Sequence, residues 1–403
     1  MSPSQRTLHH VNHSTQPSRE GRSFVSGRIS SFIGWALFSI VVSFVLLEIV
    51  GRIGLALWPH FHKPTVTDIV PQNPAYAKFS WADDCMKEQQ ARERDTYFPF
   101  RLWGIVESHG SCINNDATDL GIVRRTVNPD NPSCRDHAAL KVWVLGGSAV
   151  YGTLVPDWAT LPSALSRLLN DSAHCVQVSN LGVEGYVTNQ ELLLLMEQLK
   201  AGRVPDVVIF YDGFNDADEG TSLAGTAAHL RYNTMKRRVE GGISSKFDIL
   251  PHLAIWRFAQ TVSGPRGRKG QPRVPDDQLP ERARQTLSNY LENLRIARLL
   301  GEAYGFKVCA FWQPALIYGR KPRVPYEQQF LDLSTTEAFP FANLAPVYRE
   351  AAQRAGQGGQ FVFLGDIFDD DPQARYLDWV HLNPEGNEMA ARAVTRSLTA
   401  CFR

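Results

Sequence analysis

Neither sign of charge dominates this 403-residue chain: 42 Lys and Arg stand against 41 Asp and Glu, a formal charge of +1. A dedicated nucleic-acid binder would carry a strongly basic domain, so no nucleic-acid partner is expected. The six cysteines (Cys85, Cys112, Cys134, Cys175, Cys309 and Cys401) never form a CxxC pair, so zinc-site spacing is absent and no metal is implied. The 30 Gly and 24 Pro follow no three-residue period, which excludes a collagen-like fibre. No internal repeat of about 20 to 50 residues is visible. What remains is a globular composition, 43% hydrophobic and 21% charged, long enough for one large or two modest domains.

One stretch lacks charge altogether. Ile29 to Leu47 runs 19 residues without Asp, Glu, Lys or Arg. As a helix it is about 28 Å long, close to the hydrocarbon core of a bilayer, where every backbone amide must be bonded within the segment. Glu48 and Arg52 would mark its far interface. Arg6, Arg19, Arg22 and Arg28 precede it with the single acid Glu20, and the positive-inside rule then puts the N-terminus in the cytoplasm and the bulk of the chain outside it. A signal peptide cleaved near the small residues Gly54 and Ala56 is the alternative. In an oxidising compartment the six cysteines would suit up to three disulfides, with at least one expected among Cys85, Cys112 and Cys134. Cys175 and Cys309 lie in apolar runs and read as buried thiols.

The organisation follows from changes in pattern. Residues 1–28 are polar and aperiodic, a disordered cytoplasmic tail; 29–52 form the anchor; 53–137, with Pro59, Pro64, Pro71, Pro74, Pro99, Pro129 and Pro132, read as a stalk and a loop-rich region. From residue 138 to 403 short apolar runs alternate with helical patterns, the signature of a parallel sheet with crossover helices. Five strands are expected at Lys141–Leu145, Cys175–Asn180, Asp206–Tyr211, Lys307–Trp312 and Gln360–Leu364. Their nearly continuous apolar character suits a sheet covered on both faces. Helices are expected at Leu161–Asn170, Asn189–Ala201, Glu281–Tyr304, Ala342–Ala355 and Pro384–Thr399. The connection at about 217–280 far exceeds an ordinary loop and reads as an insertion or lid. It holds ten Lys and Arg against six acids, a surface for an anionic glycan or lipid headgroup or simply a solvated loop.

The chemistry lies at the strand ends. The first strand runs into Gly146-Gly147-Ser148, which would present a hydroxyl at the carboxyl edge of the sheet, where open α/β folds place ligands. It is neither GxSxG, since Val150 stands where the second Gly belongs, nor a P-loop, since no GK[ST] follows. The second strand ends in Asn180-Leu181-Gly182-Val183-Glu184-Gly185 and the third in Asp212-Gly213-Phe214-Asn215-Asp216. Ahead of the last helix, Asp378 precedes His381 by three residues, close enough for a carboxylate to orient an imidazole. Tyr151, Asp212 and Trp379 are candidate pocket residues for which a core or turn role is expected.

Taken together, Ser148, Gly185, Asn215 and Asp378-x-x-His381 resemble, over about residues 140 to 400, the four blocks of the SGNH (GDSL) hydrolase superfamily. The resemblance implies a flavodoxin-like three-layer sandwich around a parallel sheet of about five strands, here preceded by one transmembrane helix. It implies Ser148 as nucleophile, His381 as base, Asp378 as its orienting carboxylate, and an oxyanion hole of the Ser148 amide, the Gly185 amide and the Asn215 side chain. The first block departs from the family in having Gly147 where GDSL members have Asp. The implied function is a serine esterase that acts through an acyl-enzyme on an extracytoplasmic glycan or lipid ester, with no metal or organic cofactor. Two alternatives stay open: an O-acyltransferase modifying a cell-envelope polysaccharide, and a non-catalytic glycan-binding or scaffold protein. No protein partner and no oligomeric state is legible.

Overall fold

The computed structural model describes residues 20–57, 70, 73–91, 96–135, 138–170, 174–240, 253–262, 273–336 and 340–401. The expected tail up to residue 19, the start of the stalk at 58–69 and the insertion segments 241–252 and 263–272 lie outside them. The chain divides into two compact units, one of residues Met1–His62 with Ser244–Arg266, the other of Lys63–Ile243 with Gly267–Arg403.

In the first unit a helix spans Glu20–Leu57, beginning within the expected tail and continuing past the expected end of the anchor at residue 52. Its Gly34–Leu57 stretch is long and apolar enough to cross a membrane. Trp35, Phe38, Ile40 and Leu46 are all exposed, as lipid-facing side chains would be. The helix Ala254–Val262 packs against it at Gly51 and Gly54, where a β-carbon would collide with the Ile255 backbone and the Phe258 ring. Glu48 Oε2 caps that second helix by accepting from the Ala254 amide at 2.7 Å. Part of the expected insertion therefore belongs to the same unit as the N-terminal helix.

The second unit holds a sheet of seven strands, β1 (Asn115–Thr118), β2 (Gly121–Arg124), β3 (Leu140–Gly146), β4 (Val176–Asn180), β5 (Val207–Asp212), β6 (Lys307–Trp312) and β7 (Val362–Phe363). Their order is β1-β2-β4-β3-β5-β6-β7. The last five are parallel and are the five strands expected from sequence. Numbered among themselves they run 2-1-3-4-5, the flavodoxin-like order. The expected count is corrected by β1 and β2, an antiparallel hairpin from the region read as loops, which joins β4 through Arg124 and Asn180. At four residues each, with the polar Asn-Asp-Ala-Thr as its first strand, the hairpin lacks the apolar alternation that marks a strand.

Every residue of β5 is buried, as are the last five of β3, because helices cover both faces. Leu161–Leu169 packs with Pro384–Cys401 as one group; Leu279–Tyr304 packs with Thr188–Lys200 and Ala345–Gly358 as the other. Two disulfides tie the edges, Cys85–Cys112 and Cys134–Cys175. The first places a bridge within the upstream cysteines; the second corrects the reading of Cys175, which is buried but not a thiol. Cys309 lies buried in β6.

Candidate functional site

In a 2-1-3-4-5 sheet the chain reverses its winding between the first and third strands, here β3 and β5, and the loops leaving their carboxyl ends diverge to open a crevice. Ser148 opens a one-turn helix, Ser148–Tyr151, directly after β3. Asn215 lies in the helix Phe214–Gly220 directly after β5. Gly185 follows β4, and Asp378 and His381 precede the helix Pro384–Cys401.

These separate strand ends meet. His381 Nε2 lies 2.8 Å from Ser148 Oγ, across 233 residues of sequence. His381 Nδ1 lies 2.6 Å from Asp378 Oδ2. An ionised carboxylate only accepts, so Nδ1 carries the proton and Nε2 is left as the acceptor for the serine hydroxyl. Asp378 Oδ1 accepts from the Val380 and His381 amides, each at 2.9 Å, which fixes the carboxylate. Burial pulls the His381 pKa down, but the charge of Asp378, its hydrogen bond and the charge of Glu184 outweigh burial and leave it above the usual imidazole value. Burial likewise pushes Asp378 up, and the His381 charge with three hydrogen bonds holds it below the usual carboxylate value.

Gly147 explains itself at this point. A β-carbon there would lie 2.3 Å from Asn215 Nδ2 and 3.3 Å from the Tyr186 carbonyl oxygen. The absent side chain lets the Asn215 amide sit against the Gly147-Ser148 backbone. Asn215 Nδ2 donates to Tyr186 O at 2.7 Å, which orients the amide and leaves its second hydrogen for another acceptor. Gly185 has φ of +77°, a conformation that favours glycine. Gly182, the other glycine of that loop, already gives its amide to Asn180 Oδ1 at 2.9 Å. Among the described residues the Ser148 and Gly185 amides donate to no protein acceptor.

Several neighbours had no sequence signal. Glu184 Oε1 accepts from Thr153 Oγ1 at 2.6 Å and from Gln89 Nε2 at 2.9 Å, while Trp103 Nε1 donates to the Glu184 carbonyl at 3.0 Å. Leu230, inside the expected insertion, packs on Gly185, where a β-carbon would meet its Cδ2 at 2.6 Å. The helix Pro325–Leu333 holds the loop that carries the acid and base. Glu327 Oε1 accepts from the Arg375 and Tyr376 amides at 3.0 and 3.2 Å, and its Oε2 pairs with Lys321 Nζ at 2.8 Å. The other candidates are core residues: Tyr151 is buried with its hydroxyl on Asn115 Oδ1, Trp379 is buried with Nε1 on the Phe330 carbonyl, and Asp212 is buried beside Glu191. Among the described residues no group of three or more His, Cys, Asp or Glu is placed to hold a metal ion.

No family model and no curated protein matches the chain. Among solved structures it is similar to a member of the lipolytic protein G-D-S-L family from Veillonella parvula, with 13% identity over 65% of this chain and 99% of that one and a TM-score of 0.33. It is similar to TesA at 14% identity, 65% and 99% coverage and a TM-score of 0.35. An acetyl xylan esterase, AlAXEase, gives 16% identity, 64% and 99% coverage and a TM-score of 0.31. At these values the likeness carries no argument about activity, which has to be read from the site's own geometry.

Proposed function

We propose that this protein is a serine-dependent hydrolase of carboxylic esters, acting through an acyl-enzyme. The observation that carries the reading is the unbroken chain from Ser148 Oγ to His381 Nε2 and from His381 Nδ1 to Asp378, at 2.8 and 2.6 Å. A serine hydroxyl is a weak nucleophile until a neighbouring base takes its proton, and the base needs an acceptor on its far nitrogen to hold the useful tautomer. Ser148 Oγ attacks the ester carbonyl as His381 accepts the proton. The developing oxyanion is received by the Ser148 amide, the Gly185 amide and Asn215 Nδ2, each such donor contributing on the order of 3 kcal/mol to the transition state. His381 then protonates the departing alcohol, and water, deprotonated by the same imidazole, releases the acid.

The substrate is an ester of an envelope glycan or lipid, met outside the cytoplasm by a domain anchored through the Gly34–Leu57 helix. Two disulfide bridges support an oxidising compartment. The test is turnover of 4-nitrophenyl acetate by the full chain in detergent. Wild type should hydrolyse it, and Ser148→Ala should lose about 10³-fold or more in kcat with the thermal midpoint preserved. Equal rates in the two proteins would sink the reading.

A further inference from the structure

Away from the triad, a cleft of about 560 Å³ opens between Trp81 and Trp158. That volume lies within the range of small-molecule sites, about 300 to 1,000 Å³. Trp158 stands 46% exposed on its rim, although the turn that carries it, Asp157–Ala159, is built rigidly. Asp157 is buried against Arg124 Nη1 at 2.7 Å and accepts from Asn114 Nδ2 at 2.6 Å, while Arg167 Nη1 donates to the Trp158 carbonyl at 2.6 Å. Trp81 spends one face stacking on Phe79, 4.8 Å between ring centroids, and meets Trp158 edge-on at 6.4 Å. The far wall is equally fixed: Glu88 Oε1 accepts from both the amide and the hydroxyl of Ser111 at 2.7 Å, beside the Cys85–Cys112 bridge. A large aromatic ring held in solvent by a hydrogen-bonded scaffold is not needed for packing.

We infer that this cleft is a subsite for a neutral oligosaccharide, the alcohol portion of the ester whose acyl end reaches Ser148. This rests on the hydrolase reading above for its connection to catalysis, and on the cleft's own chemistry for its ligand. Indole faces receive the C–H faces of sugar rings, and a few oriented polar groups then select hydroxyls. Ser80 and Asp84 are placed on the lining to do so. Charge argues for a neutral ligand. Arg125 already makes two 2.7 Å bonds to Asp116, Asp157 is paired with Arg124 at 2.7 Å and Asp84 with Lys87 at 3.8 Å, so the lining's charges are matched within the protein. The turn that carries Trp158 follows the Ser148–Tyr151 helix in the chain, and its Ala159 carbonyl accepts at 3.0 Å from Asn387 Nδ2, on the helix that starts just after His381.

The test titrates the full chain in detergent with neutral hexasaccharides of glucose, xylose, mannose and N-acetylglucosamine, and with hexagalacturonate, by calorimetry. At least one neutral sugar should bind, at least tenfold more tightly than hexagalacturonate, and Trp158→Ala should weaken it at least tenfold while Trp158→Phe keeps most of the affinity. No neutral sugar bound at millimolar concentration, equal binding by Trp158→Ala, or preference for hexagalacturonate would overturn the inference. Wild-type turnover of 4-nitrophenyl acetate, measured in parallel, separates the two claims. Turnover without sugar binding removes the subsite and leaves the hydrolase; sugar binding without turnover removes the hydrolase and leaves a binding site.

Discussion

Glu327 is the side chain whose loss should reach furthest. It is fully buried, its partner Lys321 is 2% exposed, and its carboxylate serves three donors, Lys321 Nζ and the amides of Arg375 and Tyr376. Those amides lie in the strand of chain that runs into Asp378 and His381, so the ion pair holds the acid and base loop to the helix Pro325–Leu333. Glu327→Leu strands a buried ammonium and two backbone N–H groups. Breaking a buried pair costs about 3–5 kcal/mol and each orphaned amide about 1–3 kcal/mol. The terms do not add fully, because Lys321 Nζ keeps the Pro322 carbonyl at 3.1 Å. A loss of about 4–6 kcal/mol is expected, comparable to the whole stability of many domains. Glu327→Gln keeps an oxygen for the two amides and should lose only about 3 kcal/mol, mostly from the unpaired lysine. Urea titration of the full chain in detergent, followed by tryptophan fluorescence, gives the stability. Ester turnover gives the second readout, in which kcat should fall more than KM rises. An unaltered midpoint and full kcat in Glu327→Leu would refute the reasoning, since the loop would then be held elsewhere.

Three further outcomes are expected. Because His381 must be neutral to act as base and its pKa is raised, ester turnover should climb with pH along a limb centred above the ordinary imidazole value of about 6.5. Asp378→Asn should move that limb down and cost roughly 10³-fold or more in kcat, and a limb unmoved in the variant would contradict the assignment. Gly147→Asp, although it restores the family's usual residue, should displace the Asn215 amide and lower kcat by about 10²-fold; full activity would mean that Asn215 does not serve the oxyanion. Glu191 and Asp212 lie buried side by side, and both are pushed well above the usual carboxyl value: Glu191 by burial and then the charge of Asp212, Asp212 by burial, which outweighs the lowering from its Glu191 contact and is helped by the charge of Asp216. A carboxyl raised in the folded state stabilises fully below its unfolded value of about 4 and loses that contribution as pH rises toward the folded value. Glu191→Gln should therefore lose less stability between pH 5 and pH 8 than wild type, and an identical slope would contradict a carboxyl raised at Glu191.

The five parallel strands were legible because a strand covered on both faces must be apolar almost throughout, as Val207–Tyr211 is. The hairpin β1–β2 was not, since two strands of four residues, Asn-Asp-Ala-Thr and Gly-Ile-Val-Arg, are too short to show an apolar period. Ser148, Asn215, Asp378 and His381 could be found because side-chain chemistry at strand ends leaves a trace in sequence. The Tyr186 carbonyl that orients Asn215 leaves none, because every residue has a carbonyl. Pairings across long separations were also hidden: Cys134 with Cys175, Glu327 with the Arg375 amide, and Leu230 on Gly185 depend on the folded path alone. Gly147, a departure from the first block of the family it resembles, proves to be the space that Asn215 occupies.

The most direct measurement is reaction of the full chain in detergent with a fluorophosphonate, with the adduct located by peptide mass spectrometry. An activated serine should give a single stoichiometric adduct on Ser148, lost in His381→Ala and strongly slowed in Asp378→Asn. Folded protein that stays unlabelled, or that labels equally in His381→Ala, would contradict the assignment of Ser148 as a nucleophile activated by His381.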